Sequence, residues 1–155
     1  MASTLMTAPA ARELTVTRVL NAPRDLVFKM WLDPKHVMQW WGPKHHPATR
    51  ITWDARPGGQ WRNCLRSVET GKELWHHGVF HEVVPPERLV FSFVWEEEGE
   101  RGVENIVTIT LADQGPRTLL TLHQAPFQSA GECDGHGEGW GSSFDRLSLF
   151  LETAS

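Results

Sequence analysis

The sequence predicts an α+β fold in which a curved antiparallel sheet packs against one long C-terminal helix. Three observations carry this expectation. Segments of alternating apolar and polar residues, separated by Pro and Gly turns, fill the chain from Thr49 to Gln124. Two short stretches of helical spacing follow the first strand-like segment, and a third closes the chain, where Trp140, Phe144, Leu147 and Leu151 recur every three or four residues. No strand–helix–strand crossover pattern occurs, so hairpins connect most of the strands.

Each element has its own signal. Glu13 to Leu20 alternates, with Leu14, Val16 and Arg18 on one side and Thr15, Thr17 and Val19 on the other; Thr and Val favour a strand. Asn21-Ala22-Pro23 breaks it. Pro23 has a preset φ and no orphan N–H, so it suits the first helical position, and Asp25 suits the positive first turn. Leu26, Val27, Met30 and Trp31 then share one apolar face. Asp33-Pro34 ends that helix and caps a second, which carries Val37, Met38, Trp40 and Trp41 and stops at Gly42-Pro43. Strands are predicted over Thr49–Asp54, Gln60–Val68, Leu74–Val84, Arg88–Trp95, Val103–Leu111 and Thr118–Gln124. Turns fall at Pro57-Gly58-Gly59, Thr70-Gly71, Pro85-Pro86, Glu98-Gly99-Glu100 and Gln114-Gly115-Pro116. Ala125 to Glu138 reads as a glycine-rich loop, and the terminal helix is expected from Gly139 over about 14 residues. Gly139 and Gly141 each cost about 1 kcal/mol there relative to Ala, which points to close backbone approach by a strand or a ligand.

A chain of 155 residues fits one domain. Residues 1–11, small and polar, read as a frayed N-terminal tail, and 12–155 as the domain. Fifteen basic against nineteen acidic residues leave a net charge of −4, with no basic run. This balance argues against nucleic-acid binding and against an anionic membrane surface. No apolar run approaches the roughly 18 residues that a spanning helix needs, and the start lacks the basic and apolar regions of a signal peptide. The cytoplasm is therefore the expected compartment. Cys64 and Cys133 are too few for a disulfide framework, so reduced thiols are expected. Eight Trp and seven Phe with no Tyr make the aromatic surface mostly indole.

Several short words in this order resemble a known family. They are Ala22-Pro23, Trp40-Trp41-Gly42-Pro43, Arg56-Pro57-Gly58-Gly59, Gly78-Val79-Phe80 before Glu82, Pro85-Pro86-Glu87-Arg88-Leu89, and Gly139-Trp140. Together, over Leu14 to Leu151, they resemble the activators of heat-shock-protein-90 ATPase homologues, a family within the START-like (SRPBCC, birch-pollen-allergen-type) superfamily. The resemblance implies a helix-grip fold: a bent antiparallel sheet wrapped around a long C-terminal helix, two short helices after the first strand, and an apolar cavity between sheet and helix. It does not imply one activity. The superfamily includes lipid and hormone carriers, polyketide cyclases and a co-chaperone domain, so function has to be argued from the site.

The aromatic residues are the first candidates for that site. Trp53, Trp61, Trp75, Phe80, Phe91, Phe93 and Trp95 lie on predicted strands, and Trp140 and Phe144 on the terminal helix. They either wall a ligand pocket or fill the core. Trp40-Trp41 reads as structural, plugging the end of the sheet. His76 and His77 are adjacent on a strand, so one of them faces the concave side; a bulge would decide which. His123, near the end of the last strand, is either a polar group at the cavity mouth or an ordinary strand histidine. Glu82 and Arg88 flank Pro85-Pro86 and read as an ion pair across the turn.

Metal and nucleotide chemistry find no pattern here. His77 and His81 share a strand face but lie about 13 Å apart, too far for one ion. Cys133 and His136 have a chelating spacing without a second ligand pair nearby. No P-loop occurs, the glycines at 135, 137, 139 and 141 do not match a dinucleotide fingerprint, and Gly139-Trp140-Gly141-Ser142 is not a nucleophile elbow. Neither cofactor nor metal is expected, and no catalytic set can be named. The sequence thus points first to a non-catalytic binder of a small apolar or amphipathic ligand. Its rivals are a cyclase-like or small hydrolase-like enzyme using a cavity His or Glu82 as general acid or base, and a chaperone-associated protein. The eukaryotic co-chaperones carry an extra N-terminal domain without a counterpart in these residues. A homodimer through a sheet edge or paired helices is a further expectation.

Overall fold

Seven strands and three helices follow one another in the chain, as a computed structural model describing residues 12–96 and 104–154 shows. The order is β1 (Leu14–Leu20), α1 (Arg24–Lys29), α2 (Pro34–Trp40), β2 (Ala48–Trp53), β3 (Gln60–Arg66), β4 (Glu73–Val84), β5 (Arg88–Trp95), β6 (Asn105–Gln114), β7 (Arg117–Ala125) and α3 (Ala130–Ala154). The expected tail over 1–11, the turn at Glu98-Gly99-Glu100 and Val103 lie outside the described residues.

All strand pairs are antiparallel, in the order β1-β7-β6-β5-β4-β3-β2. Every neighbour in that order from β2 to β7 is also next in sequence. The one long-range pairing, β1 with β7, leaves β1 and β2 on opposite edges. The α1–α2 segment must therefore cross from one edge of the sheet to the other, and it closes one end of the layer. This is the helix-grip architecture of START-like proteins.

Strand alternation sets the inner face. Trp53 and Trp61 pair across β2–β3, Phe80 and Phe91 across β4–β5, and Val107, Ile109, Leu111, Leu120 and Leu122 continue the face through β6 and β7. Together with Trp31, Val37 and Trp40 from the short helices and Phe144, Leu147 and Leu151 from α3 they form one core. Register shifts between Phe80 and Glu82, and between Ala48 and Arg50, bend the sheet. Gly78 shows how tightly it is packed: the Trp61 indole lies across it and donates to Ser92 O at 3.1 Å, and a Cβ at Gly78 would stand 1.8 Å from that same oxygen.

Most boundaries differ from the sequence reading by a residue or two; α1 stops at Lys29, short of Asp33, with Pro23 as its N-cap rather than its first residue, and β3 stops at Arg66 rather than Val68. β6 runs to Gln114 rather than Leu111. The larger difference is α3, which begins at Ala130, nine residues before Gly139, so most of the expected loop is helix. Its start is set by Ser129: the hydroxyl accepts from Glu132 N at 3.1 Å, while Glu132 Oε1 accepts from Gln128 N at 2.9 Å. Ser129-Ala130-Gly131-Glu132 is a capping-box pattern, and this local signal outweighs the low helix propensity of the glycines that follow.

The core is continuous through Phe144, which is fully buried against Trp31, Trp40 and Trp140. Phe144→Ala is expected to cost about 3–5 kcal/mol. Urea unfolding of the variant beside the parent checks this, through a lower midpoint at unchanged slope.

Candidate functional site

A cavity of about 540 Å³ opens between the N-terminal half of α3 and the β3–β5 part of the sheet. Leu65, Leu74, His76, Phe93 and Trp95 form its sheet side. Gly131, Gly135, Gly139, Trp140 and Ser143 form the α3 side. The segment after α2 closes the end with Trp41, Gly42, Pro43 and His46. Glu132, Ser129 and His136 complete the lining near the start of α3.

Three wall tryptophans each send their N–H to an internal acceptor. Trp41 Nε1 donates to His76 Nε2 at 2.9 Å, Trp95 Nε1 to His136 Nε2 at 3.0 Å, and Trp140 Nε1 to Gln124 Oε1 at 2.8 Å. Gln124 is fully buried and donates in turn to Asn105 Oδ1 at 2.8 Å. With their polar ends engaged, the indoles leave mainly ring carbon as surface, which is what an apolar ligand needs.

Trp41 is held in place from two directions. Gly42 has φ +94°, a left-handed conformation that glycine adopts freely, and a Cβ there would lie 2.5 Å from His46 O. Arg146 on α3 donates to Trp41 O at 3.0 Å, Gly42 O at 2.7 Å and Gln39 O at 3.1 Å. These are carbonyls at and just past the end of α2, where backbone acceptors lack helical partners. Burial pulls the Arg146 guanidinium below its usual pKa.

His76 is a strongly perturbed group of the cavity. It is 1% exposed, its ring is stacked on Trp41 at 6.0 Å and 12°, and it packs against Phe93 and Trp95. Burial pushes its pKa down to about 3, with the Leu74 carbonyl opposing only in part. An indole N–H can only donate, so Nε2 accepts and the neutral ring carries its proton on Nδ1. No hydrogen bond of ordinary geometry reaches that Nδ1 or the amide of Asn63, its fully buried cross-strand partner, although the Leu74 carbonyl is near enough to favour the ring proton.

The structure thus separates the residues singled out from the sequence. His76, Phe93, Trp95 and Trp140 line the cavity. Trp53, Trp61, Phe80, Phe91 and Phe144 lie outside its lining, packed into the core. His77 faces the opposite side of the sheet, exposed, with Nδ1 2.8 Å from Glu96 Oε2, because adjacent strand residues point opposite ways and the β4 bulge comes after this position. Glu96, bonded to Arg62 as well, is held down at about 2, chiefly by that guanidinium. His123 is also away from the cavity: it alternates with buried Leu122 and Gln124 and pairs with Glu13 Oε1 at 2.9 Å on the outer face. Glu82 and Arg88 form an exposed ion pair at 2.6 Å across the turn. Trp40 is core, but Trp41, expected only to plug the sheet end, is cavity wall. Among the described residues, no group of three or more His, Cys, Asp and Glu converges on a point where a metal could sit. No helix among them is long and apolar enough to cross a membrane.

Comparison with known proteins bears on this architecture. The family described as "Activator of Hsp90 ATPase homolog 1-like protein" matches residues 21–152. The chain belongs to this family. Among solved structures of similar proteins, one from Chromobacterium violaceum is 27% identical, with a TM-score of 0.84, covering 91% of this chain and 97% of its own. The AHSA1 protein of Silicibacter pomeroyi is 24% identical, with a TM-score of 0.83 and coverage of 92% and 99%, a likeness of fold. DynU16, from the dynemicin biosynthetic locus, is 25% identical with a TM-score of 0.75; the match covers 93% of this chain but only 48% of DynU16. No curated protein matches the chain.

Within this family member, sequence reasoning read Trp41 as structural, weighed His136 only as a metal ligand and marked Gly139 for close backbone approach; Arg146 and Gly131 it passed over. Only Ser129 and Glu132, as a capping box, carried a signal that would have put His136 on a helix facing the sheet.

The lowered pKa of His76 has a thermodynamic consequence. Between about pH 3 and the ordinary histidine value of 6.5, the unfolded chain binds a proton here that the folded chain refuses. Stability therefore falls as pH drops below about 6.5, by up to about 1.4 kcal/mol per pH unit from this one group. In urea unfolding at pH 7, 6 and 5, His76→Gln is expected to remove one proton's worth of that slope.

Proposed function

We propose that this protein binds a small hydrophobic or amphipathic molecule between the sheet and α3, without turning it over. The observation that carries the reading is the cavity of about 540 Å³, lined by Phe93 and by Trp41, Trp95 and Trp140, whose indole N–H groups are already bonded within the fold. Its size is that of a ligand site rather than of a packing defect. START-like folds commonly bind hydrophobic ligands, which supports the same reading. Burying apolar ligand surface against these rings is worth about 25 cal/mol per Å².

The chemistry of the polar groups favours binding over catalysis. A general base works best with a pKa near the operating pH, and His76, at about 3, is a poor proton acceptor at neutrality. It serves better as a fixed hydrogen-bonding group that orients a ligand.

Native mass spectrometry tests the proposal, on the protein as isolated and after mixing with sterols, fatty acids, flavonoids and polyketide-like aromatics. A retained or saturable one-to-one adduct is the expected result. Trp140→Ala, which removes a wall ring, is expected to weaken that adduct about tenfold or more. If no adduct forms across the panel, the ligand-binding reading fails and association with a protein partner becomes the hypothesis to test.

A further inference from the structure

Behind one wall of the cavity, the outer face of the sheet carries a charge cluster that joins three strands. Arg62 on β3 donates to Glu96 through Nε and Nη2, each at 2.8 Å. His77 on β4 reaches the same carboxylate through Nδ1, also at 2.8 Å. An ionised carboxylate can only accept, so Nδ1 carries the hydrogen. The Arg62 guanidinium lies 4.1 Å above the ring of Trp75, which steadies it from the β4 side. Glu96 directly follows β5, and its own N–H donates to Trp75 O at 2.9 Å.

His77 and Glu96 each come one residue after a cavity residue. His76 and Trp95 are cross-strand partners, both line the cavity, and their rings lie 4.7 Å apart. Successive strand residues alternate between faces, so the bond between Glu96 and His77 stands directly behind that pair. The end of β5 needs such a hold. Its pairing with β6 stops at Phe93 and Asn105, so among the described residues Trp95 has a strand neighbour on the β4 side alone. Yet Trp95 is the residue that ties this part of the sheet to α3, by donating to His136 Nε2 at 3.0 Å. Where Trp95 stands sets the spacing of sheet and helix at this end of the cavity.

We propose that Glu96 is a positioning residue of the ligand site: bonded to Arg62 and His77 outside the sheet, it fixes the end of β5 so that Trp95 meets His136 of α3 inside. The proposal rests on the reading that the cavity binds a ligand, and adds a residue outside the lining that controls its shape. Exposed ion pairs add little to global stability, but a bidentate Arg–carboxylate pair fixes geometry. The role of Glu96 is therefore to place a wall ring rather than to hold the fold together. Glu82 and Arg88 form an ion pair that is exposed likewise and lies outside the lining, so it serves as the control.

The parent, Glu96→Ala and Glu82→Ala are compared by three measurements. The chain has eight Trp, and a nitrogen–proton correlation spectrum gives each indole N–H its own peak. Trp75→Phe and Trp95→Phe assign the two peaks of interest. In Glu96→Ala the Trp95 peak is expected to shift or broaden, while the remaining peaks, Trp75 aside, stay in place. Titration with the apolar dye anilinonaphthalene sulfonate is expected to show affinity reduced about fivefold in Glu96→Ala and unchanged in Glu82→Ala. Both variants should melt within about 4 °C of the parent. An unmoved Trp95 peak in Glu96→Ala overturns the proposal, and so does a moved peak with unchanged dye affinity. Shifts throughout the indole region with a much lower melting temperature also overturn it, because Glu96 would then serve the whole fold. Equal effects of Glu82→Ala overturn it as well, since any loss of surface charge would then suffice. If the dye does not bind the parent, the molecule that gave the mass-spectrometry adduct takes its place in the titration. A parent that binds neither the dye nor any member of that panel overturns the ligand-binding reading instead, whatever the Trp95 peak does.

Discussion

The N–H of Trp41 is buried in a core made almost entirely of carbon, and it has to find an acceptor there. His76 Nε2 supplies it at 2.9 Å. That contact joins the segment after α2 to the middle of the sheet, and much of the aromatic core is arranged around the two rings. Trp41 lies within ring-contact distance of Trp31, Trp40, Trp53, Trp61, Phe91 and Trp140, so it touches the short helices, the sheet and α3 at once. Arg146 holds its backbone from the α3 side. A neutral His76 is a condition of the arrangement, because a protonated Nε2 could not accept.

α3 does two different jobs along its length. Its C-terminal half buries Phe144, Leu147 and Leu151 and behaves as a core helix. Its N-terminal half is rich in glycine and stands along the cavity, where Trp140 is the large ring it contributes. The helix survives this division because a capping box starts it and the apolar half anchors it. An apolar cavity leaves atoms on its walls without packing partners, so it lowers stability unless something fills it. Keeping one is understandable when a ligand supplies the missing contacts.

How far the site was legible in the sequence depends on the kind of residue. The strands with alternating Val, Ile and Leu, such as β6, and the helix-breaking Asp33-Pro34 and Gly42-Pro43, could be read directly because their signals are local. His76 and His77 were legible only as a pair of opposite faces. Choosing between them required the register of β4 against β3 and β5, and the position of the bulge, which falls after Phe80. His123 was misplaced for the same reason: one residue along a strand exchanges the cavity face for the solvent face. The start of α3 was missed because glycines at 131, 135, 137, 139 and 141 imitate a loop when propensity alone is weighed.

By itself the sequence determined the α+β class, the order of the elements, the family and the pool of aromatic residues from which walls and core are both drawn. It could do so because binary patterning, turn chemistry and short motifs act between near neighbours. Only the tertiary structure decided which aromatics fill the core and which face the cavity, and that Trp41, His76 and Arg146 act together. Those assignments are set by contacts between residues 35 and 105 positions apart, Trp41 with His76 and with Arg146, and no local pattern encodes them.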